Sequence, residues 1–309
     1  IHQFIYVAER ICGICSFGHS LGYAETVESL MGVEVPRRAQ YLRAILHELS
    51  RVHSHLLWLG LAADAFGFES LFMHCWRLRE RVLDIFEATT GGRVILSYVQ
   101  IGGVVRDIDA DTLRWICDKL DSIEGEYKEI CATFLKDSSV RSRLDGVGYL
   151  SQQQASELCM VGPFARASNV PYDCRVLGHG AYGELSDFTP ITSTGGDCLA
   201  RVEVRCAEVN QSIAIVKELA AKIPNDGIGE KSKLKPAAGA QACNVLEQPR
   251  GECYYYALGN GSANLERMRM RTPTTQNLAG MVKALEGCDL ADVPNIILTI
   301  DPCISCSER

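Results

Sequence analysis

Apolar residues recur every three to four positions over 36–66, at Ala39, Leu42, Ile45, Leu46, Leu49, Val52, Leu56 and Leu57. That period marks one buried helical face, so the stretch predicts a long helix. Pro36 suits its first turn, where a missing N–H costs nothing. A second helix is predicted over 70–90, stopped by Gly91-Gly92. A third is predicted over 109–136, with Asp109 or Asp111 as cap and Leu113, Ile116, Leu120, Ile123, Tyr127 and Ile130 as its stripe. A short helix is expected from Ser151 and a long one over 196–222. Between them, 161–194 is punctuated by Gly, Pro, Asn and Asp and reads as loop. Residues 223–240, "IPNDGIGEKSKLKPAAGA", read as an exposed polar linker. Alternation on both sides of Asn260-Gly261 signals a hairpin. One last helix is expected before "NIILTIDPC", itself read as a buried extended run. The pattern gives a mainly α chain with small β-sheets (α+β), a single domain over 1–309 without internal repeats.

Composition narrows the function classes. Hydrophobic residues are 47% of the 309 and charged residues 22%, enough for a large core. A net charge of −7, with no basic run carrying aromatics, argues against nucleic acid as a partner. No apolar stretch reaches the roughly 20 residues that cross a bilayer. The richest, "HLLWLGLAADAFGF", is broken by Asp64 and glycines. The chain is therefore expected to be soluble and able to dock on a membrane partner. Its first residues lack the basic-then-apolar order of a signal peptide. There is no initiator Met, which reads as a fragment or a processed form. Among the 14 cysteines, Cys75, Cys117, Cys131, Cys159 and Cys206 stand singly and read as buried, reduced thiols. This is the usage of a reducing compartment.

Four other cysteines form two CxxC pairs, Cys12/Cys15 and Cys303/Cys306, with almost the whole chain between them. Two such pairs make a four-thiolate metal site. A structural zinc module keeps its pairs some 15–20 residues apart. Closing a loop as long as this one costs roughly 5 kcal/mol by the logarithmic rule. Spacing alone leaves two readings open: a structural zinc, or a catalytic metal reached from both ends.

The flanking residues narrow the choice. "ERICGICSFGHS" and "DPCISCSER" resemble the two nickel-binding motifs of the nickel–iron hydrogenase large subunit. The first carries Arg10, Cys12, Gly13, Cys15 and His19 in the pattern R-x-C-G-x-C-x-x-x-H. The second carries Asp301, Pro302, Cys303, Cys306 and Arg309 in D-P-C-x-x-C-x-x-(H or R). "EVPRRAQYLRAILHELSRVHSHLLWLG", "GPFARAS", "GGDCLARVEVRCAEVNQSI" and "PRGE" look like the energy-converting, membrane-bound branch (group 4). That branch is related to the large catalytic-interface subunit of respiratory NADH:quinone oxidoreductase. Relatives in the respiratory branch lack the four cysteines, which favours hydrogenase over a complex I-like electron-transfer subunit.

The resemblance implies a fold with a central long-helix bundle and both ends at the metal site. Cys12 and Cys303 would be terminal on nickel; Cys15 and Cys306 would bridge to an iron carrying carbon monoxide and cyanide. Cys303 or Cys12 would be the first proton acceptor in heterolytic cleavage of dihydrogen. Arg250 would overhang the open metal position, flanked by Asp301 and by a buried Asp64. His19 would bond to a bridging cysteine, and Glu9 would sit on a proton path. Arg166 and Ser168 look like a family motif near the cavity. His47 and His55, on one helical face, read as a solvated or interface face. The N-terminal family segment, with its proton-transfer glutamate, is absent from this sequence. Arg309 replaces the metal-binding His of many relatives, so no further metal is expected there. The partners implied are a small subunit with a 4Fe-4S cluster, a ferredoxin-like or iron–sulfur electron carrier and integral membrane ion-translocating subunits. A maturation protease that cuts after Arg309 is a further expected partner. No iron–sulfur cluster is expected in this chain, and its place would be peripheral, on the cytoplasmic face of the membrane.

Overall fold

The structure, a computed structural model, describes residues 1–308. In chain order its elements are α1 (Phe4–Glu9), α2 (Ser16–Met31), α3 (Arg37–Ala65), α4 (Glu69–Thr90), β1 (Val99–Gln100), β2 (Gly103–Val104), α5 (Ala110–Lys136), α6 (Ser138–Arg141), α7 (Gln152–Glu157), α8 (Gly162–Arg166), α9 (Cys198–Lys222), β3 (Gln241–Gln248), β4 (Gly251–Gly259), β5 (Leu265–Arg271), α10 (Pro273–Leu285), α11 (Val293–Ile300) and α12 (Ile304–Ser307). Helix α3 is the axis. It packs on α4 and α9, α5 closes against α4 and α9, and α2 lies on the antiparallel sheet β3-β4-β5.

Local chemistry sets the helix ends. Pro36 caps α3, and the left-handed Gly91 stops α4. Asp109 accepts from the Thr112 N–H at the start of α5. Ser151 and Gln154 form a capping box on α7. The hairpin around Asn260-Gly261 is present as β4 and β5. Its third strand, β3, is one the pattern did not reveal, because Asn244, Glu247 and Gln248 blur the alternation.

Three expectations change. The run before Asp301 is helical rather than extended: Pro294 opens α11 and a left-handed Asp301 ends it. A run of six residues, 295–300, is too short to tell the two states apart. Cys159 is exposed and Cys117 half-buried, whereas Cys75, Cys131 and Cys206 are buried as expected. His47 and His55 face the core, not solvent.

The third change follows from the burial of α3 on every side. Its polar residues must find partners inside the protein. His47 Nδ1 lies 2.9 Å from the Tyr182 hydroxyl, which donates to Glu48 at 2.7 Å. Glu48 also accepts from Arg175 at 3.1 Å and Arg51 at 3.3 Å. His55 meets Glu208 at 2.9 Å. Arg166 spans Glu208 and Glu247, both at 2.7 Å. This network pins the predicted loop 161–194 to the core through Arg166, Asp173 and Arg175.

Burial, aided by the charge of Arg51, pushes His47 down to about 3; burial, aided by Arg79, does the same for His53. In the unfolded chain both return to about 6.5. Between those values only the unfolded state binds the protons, so stability rises with pH and is lost as pH falls below about 6.5. Each histidine contributes up to about 1.4 kcal/mol per pH unit in that window. The midpoint of thermal unfolding should fall steadily from pH 7 to pH 5, and His47→Gln should flatten that slope.

Candidate metal centre

Cys12 and Cys15 lie on the turn between α1 and α2, and Cys15 is the N-cap residue of α2. Cys303 is the N-cap residue of α12, and Cys306 lies inside that helix. The Cys12 sulfur is 3.3 Å from that of Cys15 and 3.4 Å from that of Cys303. Cys12, Cys15 and Cys306 place their sulfurs within 4.8 Å of one another. Backbone N–H groups of Ile14 and Cys15 point at the Cys12 sulfur from 3.3 and 3.4 Å. Cys303 is half-buried and the other three are buried.

Without a cation the four groups cannot all ionise. Cys12 is held far below the ordinary thiol range because Cys15, Cys303 and Cys306 donate to it. The same bonds hold Cys15 and Cys306 above that range. A soft divalent ion at the centre removes the conflict, since it takes all four as thiolates. A convergent, all-sulfur, largely buried donor set fits such a metal.

Arg250 occupies the two-residue turn between β3 and β4, 5% exposed. Its Nε donates to the Asp301 carbonyl at 3.0 Å and its Nη2 to the Asp301 carboxylate at 2.9 Å. Its Nη1 faces the Cys15 sulfur at 3.7 Å and the Ser54 hydroxyl at 3.4 Å. Burial alone would lower the guanidinium, but Asp301 and then the cysteine thiolates outweigh it, so the group stays charged. The turn can press this close because Gly162 and Gly251 lack side chains. A Cβ on Gly162 would stand 2.2 Å from the Arg250 carbonyl oxygen, and one on Gly251 would stand 2.7 Å from the Gly162 nitrogen. Asp301 holds a left-handed backbone, φ +62°, and its Oδ2 is buried without a hydrogen-bond partner.

His19 is buried on α2, its Nε2 3.7 Å from the Cys306 sulfur and its Nδ1 3.0 Å from the Tyr255 hydroxyl. Tyr255 reaches it across Gly22, where a Cβ would sit 2.2 Å from the ring. Glu9 is buried at the end of α1. Its Oε2 accepts from the hydroxyl of exposed Ser97 at 3.0 Å, and burial raises its carboxyl above the usual range. Arg10 points outward and donates to the Tyr6 carbonyl.

Asp64 is not where the sequence suggested. It is exposed on the last turn of α3, and Ala62 and Ala63 take the buried positions there. Ser54, three turns earlier, is the α3 residue beside Arg250. Arg166 and Ser168 belong to the ionic core and to the turn after α8, where Ser168 donates to the Leu150 carbonyl. Arg309 lies outside the described residues. Sequence reasoning missed Ser54, Tyr255, Gln248, whose side-chain amide donates to the Tyr255 hydroxyl at 2.9 Å, and Thr274, whose hydroxyl accepts from the Cys303 N–H at 3.1 Å. No local pattern marks any of these four.

Residues 65–239 and 230–309 match the family of the respiratory-chain NADH dehydrogenase 49 kDa subunit. Residues 2–62 match the nickel-dependent hydrogenase family. The chain is 39% identical to the membrane-bound hydrogenase subunit alpha of Pyrococcus furiosus, over 99% of its own length and 75% of the relative. It is 36% identical to the carbon monoxide-induced hydrogenase of Rhodospirillum rubrum, over 100% of its length and 86% of the relative. Among solved structures it resembles a chain of the membrane-bound sulfane sulfur reductase, an archaeal respiratory membrane complex. There the TM-score is 0.94 at 30% identity, covering 100% of this chain and 85% of that one.

Cys303→Ala or Cys306→Ala should abolish retention of a soft divalent metal through gel filtration, read by elemental analysis. Asp64→Asn should retain metal as the parent does.

Proposed function

The chain belongs to the family that unites nickel-dependent hydrogenases with the 49 kDa subunit of respiratory NADH dehydrogenase, and on that premise we propose that it is the catalytic large subunit of a membrane-associated nickel–iron hydrogenase. The observation that carries the reading is the buried Arg250–Asp301 pair lying directly against four convergent thiols. A structural zinc has no use for a charged guanidinium at its edge.

Cys12, Cys15, Cys303 and Cys306 would hold a nickel–iron group whose iron carries carbon monoxide and cyanide. When bound, this group supplies the two-electron chemistry of dihydrogen, H2 = 2 H+ + 2 e−. The protein's own work is then positional and electrostatic. Cys303 is the least buried of the four, and its sulfur is the atom best placed to take up a proton and pass it on. Arg250 cannot serve as a base, because guanidinium stays protonated. Tethered at two atoms to Asp301, it offers a fixed positive charge where charge develops, without reorganisation. His19 lies against Cys306 and is itself oriented by Tyr255, a contact that tunes a metal ligand. Glu9, bonded to exposed Ser97, gives a protonatable group between the cysteine turn and solvent.

Electrons would leave through a small subunit with a 4Fe-4S cluster, toward a ferredoxin-like carrier. No helix among the described residues is long and apolar enough to cross a membrane. Ion translocation would therefore rest with membrane-embedded partner subunits, with this chain on their cytoplasmic side.

X-ray fluorescence at the nickel and iron edges should show both metals, with infrared bands of carbon monoxide and cyanide and hydrogen–deuterium exchange activity. A metal-free or zinc-only protein without exchange would sink the proposal and favour an electron-transfer subunit, as the similarity to a sulfane sulfur reductase complex suggests. Arg250→Lys should keep both metals and lower turnover about 100-fold.

A further inference from the structure

Helix α11 ends where the site begins, and its last turn is held by three buried side chains from α3 and α9. Trp58 Nε1 donates to the Leu298 carbonyl at 2.7 Å. Arg201 Nη1 reaches the Thr299 hydroxyl at 3.3 Å. Arg205 Nη2 reaches the Ile300 carbonyl at 3.4 Å, and its Nη1 donates to the Arg201 carbonyl at 3.1 Å. The Arg205 guanidinium lies 4.4 Å over the Trp58 ring, and that of Arg201 lies 4.6 Å over Phe164.

These arginines are unusual in their surroundings. Both are buried, yet neither forms an ion pair among the described residues, and each leaves its Nε without a partner. A buried cation without a carboxylate is costly. The arginines of the α3 network, by contrast, each face one or more carboxylates. What Arg205 gains is the C-terminal end of a helix, where unsatisfied carbonyls and the helix dipole favour positive charge. It also gains the planar face of Trp58. Its charge senses Asp301 more than any other residue, which offsets part of the burial that draws it down to about 10.

We infer that Arg205, supported by Arg201 and Trp58, is a positioning residue of the metal site: it fixes the last turn of α11 so that the chain departs through a left-handed Asp301. That departure carries the Asp301 carboxylate to Arg250 and the Cys303 sulfur to Cys12. Arg205 touches no reacting atom, and its effect runs through Asp301. The functional part of the inference rests on the hydrogenase reading; the geometric part does not.

The test compares Arg205→Met and Arg205→Lys with the parent in the intact complex. Metal content, kcat, KM for dihydrogen, the melting temperature and a crystal structure are measured. Arg205→Met should lower kcat or metal occupancy about 10- to 100-fold with KM unchanged, as loss of a residue supporting metal ligands does. Its melting temperature should stay near the parent's, because no partner carboxylate is left unpaired. The crystal structure should show Asp301 out of its left-handed conformation or its carboxylate withdrawn from Arg250. Lysine keeps the charge but not the planar fork, and should restore part of the loss. Should the methionine variant fail to fold, Trp58→Phe, which removes the bond to Leu298 and leaves a smaller ring face under Arg205, should show a smaller loss in the same direction. Parent-like kcat, metal content and Asp301 geometry would overturn the inference. So would an equal loss of kcat in Ile123→Val, a core change in α5 remote from the site, at matched melting temperature. If the parent itself carries no nickel and iron, the hydrogenase reading falls, while the Asp301 geometry still decides this inference.

Discussion

The ion pair between Arg250 and Asp301 is the joint on which the site depends. It ties the β3–β4 turn to the end of α11, two segments with no covalent reason to meet. Each partner brings other groups with it. Arg250 brings its contacts with Cys15 and Ser54, and Asp301 brings Cys303, two residues on. An exposed pair of this kind contributes little. A buried one is strongly coupled to its surroundings, because removing either member leaves an uncompensated charge.

Two kinds of buried charge flank that joint, and they do different work. The network along α3 is a closed set. Arg51, Arg166 and Arg175 face Glu48, Asp173, Glu208 and Glu247, and burial, with the charge of Asp173, raises the Glu247 carboxyl above the usual range. It locks the 161–194 segment and reaches toward the site through backbone, where Arg51 donates to the Glu247 and Gln248 carbonyls. The floor beneath α11 is open by contrast. Arg201 and Arg205 are held by carbonyls and ring faces. The positive charge left over lies under a site built from thiolates, the sign that four ionised sulfurs would favour.

The long helices were legible because α3, α4, α5 and α9 each repeat a single period over many turns. The thiol cluster was legible because its four cysteines carry their own spacing. What failed did so for physical reasons. The run before Asp301 was too short for periodicity to separate helix from strand. Asp64 followed apolar neighbours, but a helix turns 100° per residue, and that turn placed it outside. His47 and His55 looked like a polar face because nothing local announces that α3 is buried all round. Ser54, Thr274 and Arg205 acquire their importance from residues far away in sequence, and one chain read by itself does not contain that information.

The left-handed backbone of Asp301 sets backbone strain against charge pairing at a single position. A non-glycine residue in that region costs about 1 kcal/mol or more, and glycine would relax it. Asp301→Gly would relieve that strain but leave the Arg250 guanidinium buried without its carboxylate, and the second effect outweighs the first. The strain at residue 301 is therefore tolerated because the conformation that carries it also delivers the carboxylate to Arg250.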